Sequence, residues 1–91
     1  MIIGRVVGKV WSTKKDENLN GQKFLVVRPL KNHKEESDKF IVAADGVGAG
    51  QGDLVMLTQG GAARKAAGSV EVPVDSTIIA IIDSIEVEDD E

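Results

Sequence analysis

Apolar residues in this chain recur with a period of two and in short runs, a pattern that fits strands and leaves little room for helices. Over the first eleven residues Ile2, Gly4, Val6, Gly8 and Val10 alternate with Ile3, Arg5, Val7, Lys9 and Trp11. That predicts a strand with one face toward a core. Gly4 and Gly8 fall on the same face, where missing side chains let a strand coil or let another backbone approach closely. Further strands are predicted over residues 24–27, with Pro29 marking an edge or the end of pairing, over 40–44, over 54–58 and over 76–85. Residues 14–22 read as a polar loop, 31–38 as a charged turn and 70–74, with Pro73, as an extended connector. Only residues 62–67 have helix propensity; Gly60-Gly61 opens that run and Gly68 stops it. Five strands and one short helix predict a mainly β fold, a small five-stranded OB-like β-barrel. It forms a single domain over residues 1–85, followed by an acidic tail over 86–91.

Composition narrows the function. A chain of 91 residues buries a modest fraction of its surface and is marginally stable unless something adds to its core. No cysteine is present, so disulfides, thiolate zinc sites and cysteine nucleophiles are excluded. The only histidine, His33, lies in the polar run Lys31-Asn32-His33-Lys34 and reads as a solvated surface residue. Acidic residues outnumber basic ones by 15 to 11, for a net charge of −4. That balance argues against binding of nucleic acid or of an anionic membrane surface. The N-terminus shows no signal-peptide pattern and no stretch approaches the ~20 apolar residues of a membrane span, so an intracellular protein is expected. Asp45, Asp75 and Asp83 border or lie in strands without a nucleophile and base beside them. Asp45 is expected to cap the glycine-rich loop that follows it, Asp75 to cap similarly after Pro73-Val74, and Asp83 to meet a cation from a neighbouring strand or subunit. No catalytic residue, metal site or cofactor is predicted.

Two features remain to be explained. The last strand carries Ile79, Ile81 and Ile85 on one face and Ile78, Ala80 and Ile82 on the other, whereas a barrel strand needs a polar outer face. Either it lies beneath the helix or its outer face packs against another subunit. On the second reading Ile78, Ile79, Ala80, Ile81, Ile82 and Asp83 form a subunit interface. Strand 24–27 is likewise apolar on both faces, which favours an oligomer. The second feature is the cluster Gly46-Val47-Gly48-Ala49-Gly50-Gln51-Gly52-Asp53. It lacks the G-x-G-x-x-G spacing and the strand-to-helix context of a dinucleotide site, and no G-K-[ST] occurs anywhere. It is either a flexible hairpin loop or a loop whose backbone passes close to copies of itself.

These elements together resemble one family, the vertex proteins of bacterial microcompartment shells, which include those of ethanolamine utilisation and carboxysomes. The similarity runs from Gly4 to Asp83. It rests on Gly4-Arg5-Val6-Val7-Gly8-Lys9-Val10, on Leu19-Asn20-Gly21-Gln22-Lys23, on the strand from Phe24 to Leu30, and above all on Asp45-Gly46-Val47-Gly48-Ala49-Gly50. Pro73-Val74-Asp75 and Ala80-Ile81-Ile82-Asp83 complete it. One departure is Gly60-Gly61-Ala62-Ala63-Arg64, where the family usually carries Gly-Ser-Ser-Ala-Arg, so two hydroxyls that could cap the helix are missing while Arg64 is kept. The resemblance implies a homopentameric ring closing a vertex of a cytoplasmic microcompartment shell, with hexameric shell tiles as partners and no enzymatic role. In that setting Gly48, Ala49 and Gly50 are expected near the ring axis, and Lys14, Lys15 and Arg64 against the tiles. A co-chaperonin-like ring and a single-stranded nucleic-acid-binding barrel are the alternative readings. No mobile loop with an apolar anchor supports the first, and three aromatics and the negative charge speak against the second.

Overall fold

The computed structural model describes residues 1–13 and 15–88 of the chain. Five strands, β1 (Ile2–Val10), β2 (Phe24–Pro29), β3 (Ile41–Asp45), β4 (Leu54–Gln59) and β5 (Ser76–Ile81), close into a barrel in the order β1-β2-β3-β5-β4. All neighbours are antiparallel except β3 and β5, which pair in parallel at Ala44–Thr77 and Asp45–Ile78. Closure leaves no full-length open edge, which suits a sheet this small. A short helix, α1 (Gly61–Ala66), joins β4 to β5. Its N-terminus has no side-chain cap, in keeping with the missing hydroxyls. Within the polar loop, Glu17–Leu19 form one 3-10 turn capped by Asp16, whose Oδ1 accepts from the amide of Asn18.

The alternation of β-branched and small residues puts Val6, Leu25, Val27, Ala43, Val55, Leu57 and Ile78 inside the barrel, each almost wholly buried. Gly4 is required there. A Cβ at that position would lie 2.6 Å from Val27 Cγ1 and 2.8 Å from the Arg28 carbonyl oxygen, too close for either to yield cheaply. Gly8 has a different setting. A β-bulge shifts the register between Val6 and Gly8, so Val6 faces Val27 while Gly8 faces Val26, the next residue along. Gly4 and Gly8 therefore lie on opposite faces, because the bulged residue Val7 resets the period of two. A second, smaller core sits outside the barrel wall. Ala44, Val72 and Val74 pack there with Leu19, Phe24 and Ala67, which anchors both the polar loop and the connector. That small core explains much of the outer apolar face of β2.

The last strand is shorter than its apolar run. β5 ends at Ile81; Ile82 donates its amide to the Leu54 carbonyl (2.8 Å), and residues 83–88 carry no regular structure. A second bulge sets Leu57 opposite Ile78 and Met56 opposite Ala80, leaving Ile79 as the extra residue. The first half of β5 lies beneath α1, where the Thr77 hydroxyl donates to the Ala63 carbonyl at 2.7 Å. The reading that places the strand beneath the helix thus holds for its first half. Ser76, Thr77 and Ile78 are buried within the protomer, while Ile79 is half-buried and Ile81 exposed.

Candidate functional site

The glycine-rich loop crosses from β3 to β4 past β5, which lies between them in the barrel, so it is not a hairpin. Asp45 organises it. Its carboxylate is 2% exposed, and its two oxygens accept from the amides of Val47 (3.1 Å) and Ala49 (3.0 Å). Lys23 closes the arrangement from β2's approach: its Nζ lies 3.6 Å from Asp45 Oδ2 and donates to the Ala49 carbonyl at 3.1 Å. At the far end Asp53 Oδ2 accepts from the Gly50 amide (2.8 Å), and backbone bonds link Asp53 and Gly52 to Val6. A carboxylate accepting several N–H groups is a strong, short-range clamp. The loop is therefore a fixed part of the protomer surface. The capping role expected of Asp45 is present, whereas the Asp75 carboxylate accepts no hydrogen bond among the described residues.

Two expected site residues face inward. Ile78 is 0% exposed and belongs to the barrel core, so its side chain is unavailable to a neighbour. Ala49 is 1% exposed in the same core, so its methyl group cannot line an opening between subunits. What the loop exposes is Gly46, Val47 and Gly48, with Gln51 and Gly52 at its far end. Gly48 has φ of +83°, a conformation that disfavours a side chain on backbone grounds alone. Gly46 and Gly50 differ. Neither has a positive φ, and a Cβ on either would meet only ordinary contacts, at 3.8 Å from the Ile78 carbonyl oxygen and 4.0 Å from Asp53 Oδ2. The protomer by itself does not require glycine at these two positions.

The remaining candidates lie on the surface. Asp83 is exposed and pairs with no cation among the described residues. Arg64, in α1, is half-buried and makes no side-chain hydrogen bond or ion pair among the described residues, in contrast to Arg5 and Arg28, which both reach Glu36. Lys15 lines a cleft beside Trp11, and Lys14 lies outside the described residues. His33 is exposed. Among the described residues no group of three or more histidine or carboxylate side chains could hold a metal ion, and no helix is long and apolar enough to cross a membrane. The surface offers apolar faces and a clamped loop, which is the equipment of a protein that assembles.

Comparison with known proteins agrees with that geometry. The family model for ethanolamine utilisation protein EutN/carboxysome matches residues 1–83. The carboxysome shell vertex protein CcmL of Gloeobacter violaceus is 43% identical over 88 residues, covering 97% of this chain and 88% of the relative. The microcompartment shell vertex protein PduN of Salmonella typhimurium is 36% identical, covering 93% of this chain and 98% of its own. Among solved structures, the pentameric microcompartment shell protein GrpN from Rhodospirillum rubrum superposes with a TM-score of 0.87 at 36% identity, covering 96% of this chain and 99% of that one. The chain belongs to the EutN/CcmL family. It is a structural shell vertex protein of bacterial microcompartments, not an enzyme.

Proposed function

We propose that five copies of this chain form a ring whose glycine-rich loops converge toward the axis, and that the ring is held in the shell by hexameric tiles. A layer of six-membered tiles is flat; replacing six by five at a corner forces curvature, and the barrel's task is to present the right angle and the right edges. The observation that carries the axial placement is the pair Gly46 and Gly50, glycines that neither φ nor space within the protomer requires. Crowding by copies of the same loop accounts for them, since near a rotation axis each added side chain is repeated once per subunit. The outward part of the last strand, from Ile79 through Ala80, Ile81 and Ile82 to Asp83, is assigned to the contact between neighbours. The test is native mass spectrometry of the purified protein alongside Gly46→Ala. The wild type is expected as a pentamer. The alanine variant should keep the wild-type melting temperature when dissociated but lose a large share of its rings. A Gly46→Ala ring as stable as wild type would remove the loop from the axis.

For the tile contact we assign Arg64, whose guanidinium has no partner within the described protomer and so is free to meet a carboxylate of another protein. Arg64→Glu should leave the isolated ring intact and reduce its incorporation when it is co-expressed with the hexameric shell proteins. Shells from that variant that close normally, with wild-type amounts of the vertex protein, would exclude this role.

A further inference from the structure

Two apolar patches of opposite charge sit near the two ends of β1. At its C-terminal end Val10, Trp11, Phe24 and Val42 line an open cleft of about 610 Å3, together with Lys9, Lys15 and Lys23. Trp11, the only tryptophan, is 85% exposed, with Lys9 Nζ 5.5 Å from its ring centroid. Val42 is 52% exposed. A large aromatic left this open in a small protomer marks a contact surface. β1 is also paired to β4 only from Ile2 to Arg5, so no strand covers its second edge from Gly8 onward among the described residues. Near the other end, the segment after β5 runs beside Met1, Ile3 and Leu30 through Ile85 and Val87. The sequence there, Ile85-Glu86-Val87-Glu88, alternates apolar with acidic residues and continues as Asp89-Asp90-Glu91. Residues 85–88 have the period of a strand and, among the described residues, no strand partner.

Within the protomer Ile85 and Val87 lie beside Met1 and Leu30, at the opposite end of β1 from the Trp11 cleft. A cyclic ring, by contrast, joins two different patches of neighbouring copies, and each patch here supplies what the other lacks.

We propose that the segment from Ile85 to Glu88 of one copy docks in the Trp11 cleft of the next, with Ile85 and Val87 against the apolar floor and the carboxylates of Glu86 and Glu88 facing Lys9 and Lys15. This rests on the ring reading and names a contact within the ring. It also places Lys15 at the ring interface, leaving Arg64 for the tiles.

The sole tryptophan reports the contact directly. Native mass spectrometry and acrylamide quenching of Trp11 fluorescence should be measured on the same samples of the full chain. In wild-type rings Trp11 should be shielded, with blue-shifted emission and weak quenching. Glu86→Lys with Glu88→Lys, and separately Lys9→Glu with Lys15→Glu, should each raise the quenching constant several-fold. Each exchange touches only exposed side chains. A chain carrying all four substitutions should regain the shielding, because the charges are complementary again. Intact wild-type rings with freely quenched Trp11 would overturn the docking while leaving the ring reading in place. So would tail-reversed rings whose shielding is unchanged, or a fourfold variant that stays open. A monomeric wild type would overturn both.

Discussion

Ile78→Glu should yield no folded protein, whereas Ile79→Glu, one residue along, should yield a folded protomer that assembles poorly. Ile78 sits at the centre of the barrel, wholly buried among Leu25, Leu57 and Val55. A carboxylate there has no partner, and its burial costs several kcal/mol even after protonation. The lost packing of the isoleucine adds roughly 2–5 kcal/mol. A domain of this length holds only about 5–14 kcal/mol in total, so the sum removes most or all of it. Ile79 is the extra residue of the β5 bulge and is half-buried, so a glutamate can reach water in the free protomer. Its penalty falls on the assembled state, where a neighbour would cover it. Circular dichroism and size-exclusion chromatography separate the outcomes. Fully assembled rings from Ile79→Glu would take Ile79 out of the interface, and a stably folded Ile78→Glu would contradict the barrel core as described.

Asp45→Ala should cost about 3 kcal/mol in the protomer. Two amides, of Val47 and Ala49, lose a charged acceptor, and each such bond contributes roughly 1.5–3 kcal/mol. Lys23 loses its counter-ion, but that amine is nearly half-exposed, so its share is small. For a domain of this size the change corresponds to a fall in melting temperature of about 15 °C. Lys23→Met should cost far less, because Asp45 keeps both amides. Equal losses from the two variants would mean that the ion pair, rather than the amide clamp, holds the loop. Since Ala49 is packed in the core, loosening the clamp also frees a core contact, which couples loop order to barrel stability.

Much of this architecture could be read from the residues, and the exceptions have physical reasons. The strands announce themselves through alternation, and Leu25 and Val27 against Phe24 and Val26 separate the two faces of β2 correctly. Asp45 was legible as a cap because an aspartate ahead of a glycine-rich turn has amides two and four residues on within reach. The bulges at Val7 and Ile79 were not legible, since period two carries no mark of where a single extra residue enters. That is why Gly8 changes faces. Ala49 was misplaced because glycines on both sides suggest an exposed loop, and only the fold reveals that the loop bends back to the core. The end of β5 was overrun because Ile82 and Ile85 continue the apolar pattern beyond the last residue of the strand. The small outer core, where Val72 and Val74 meet Ala44 and Phe24, was likewise hidden, as it depends on a connector whose composition resembles any loop.

The position of β5 in the barrel sets the order of events in the life of the protomer. It is the last of the five strands along the chain, yet it lies between β3 and β4, and one of its two pairings is parallel. Until it is in place, β3 and β4 each present an unsatisfied edge, and Leu25, Leu57 and Val55 face a gap where Ile78 belongs. Two of the five pairings, β1 with β4 and β3 with β5, join strands distant in sequence, and these closing contacts are the slow ones to form. The barrel stays open until β5 is inserted, and the closed surface of the protomer does not exist before then. Any change that slows insertion of β5 should therefore reduce the supply of corners before it alters their shape, and shells would be left unclosed rather than misangled.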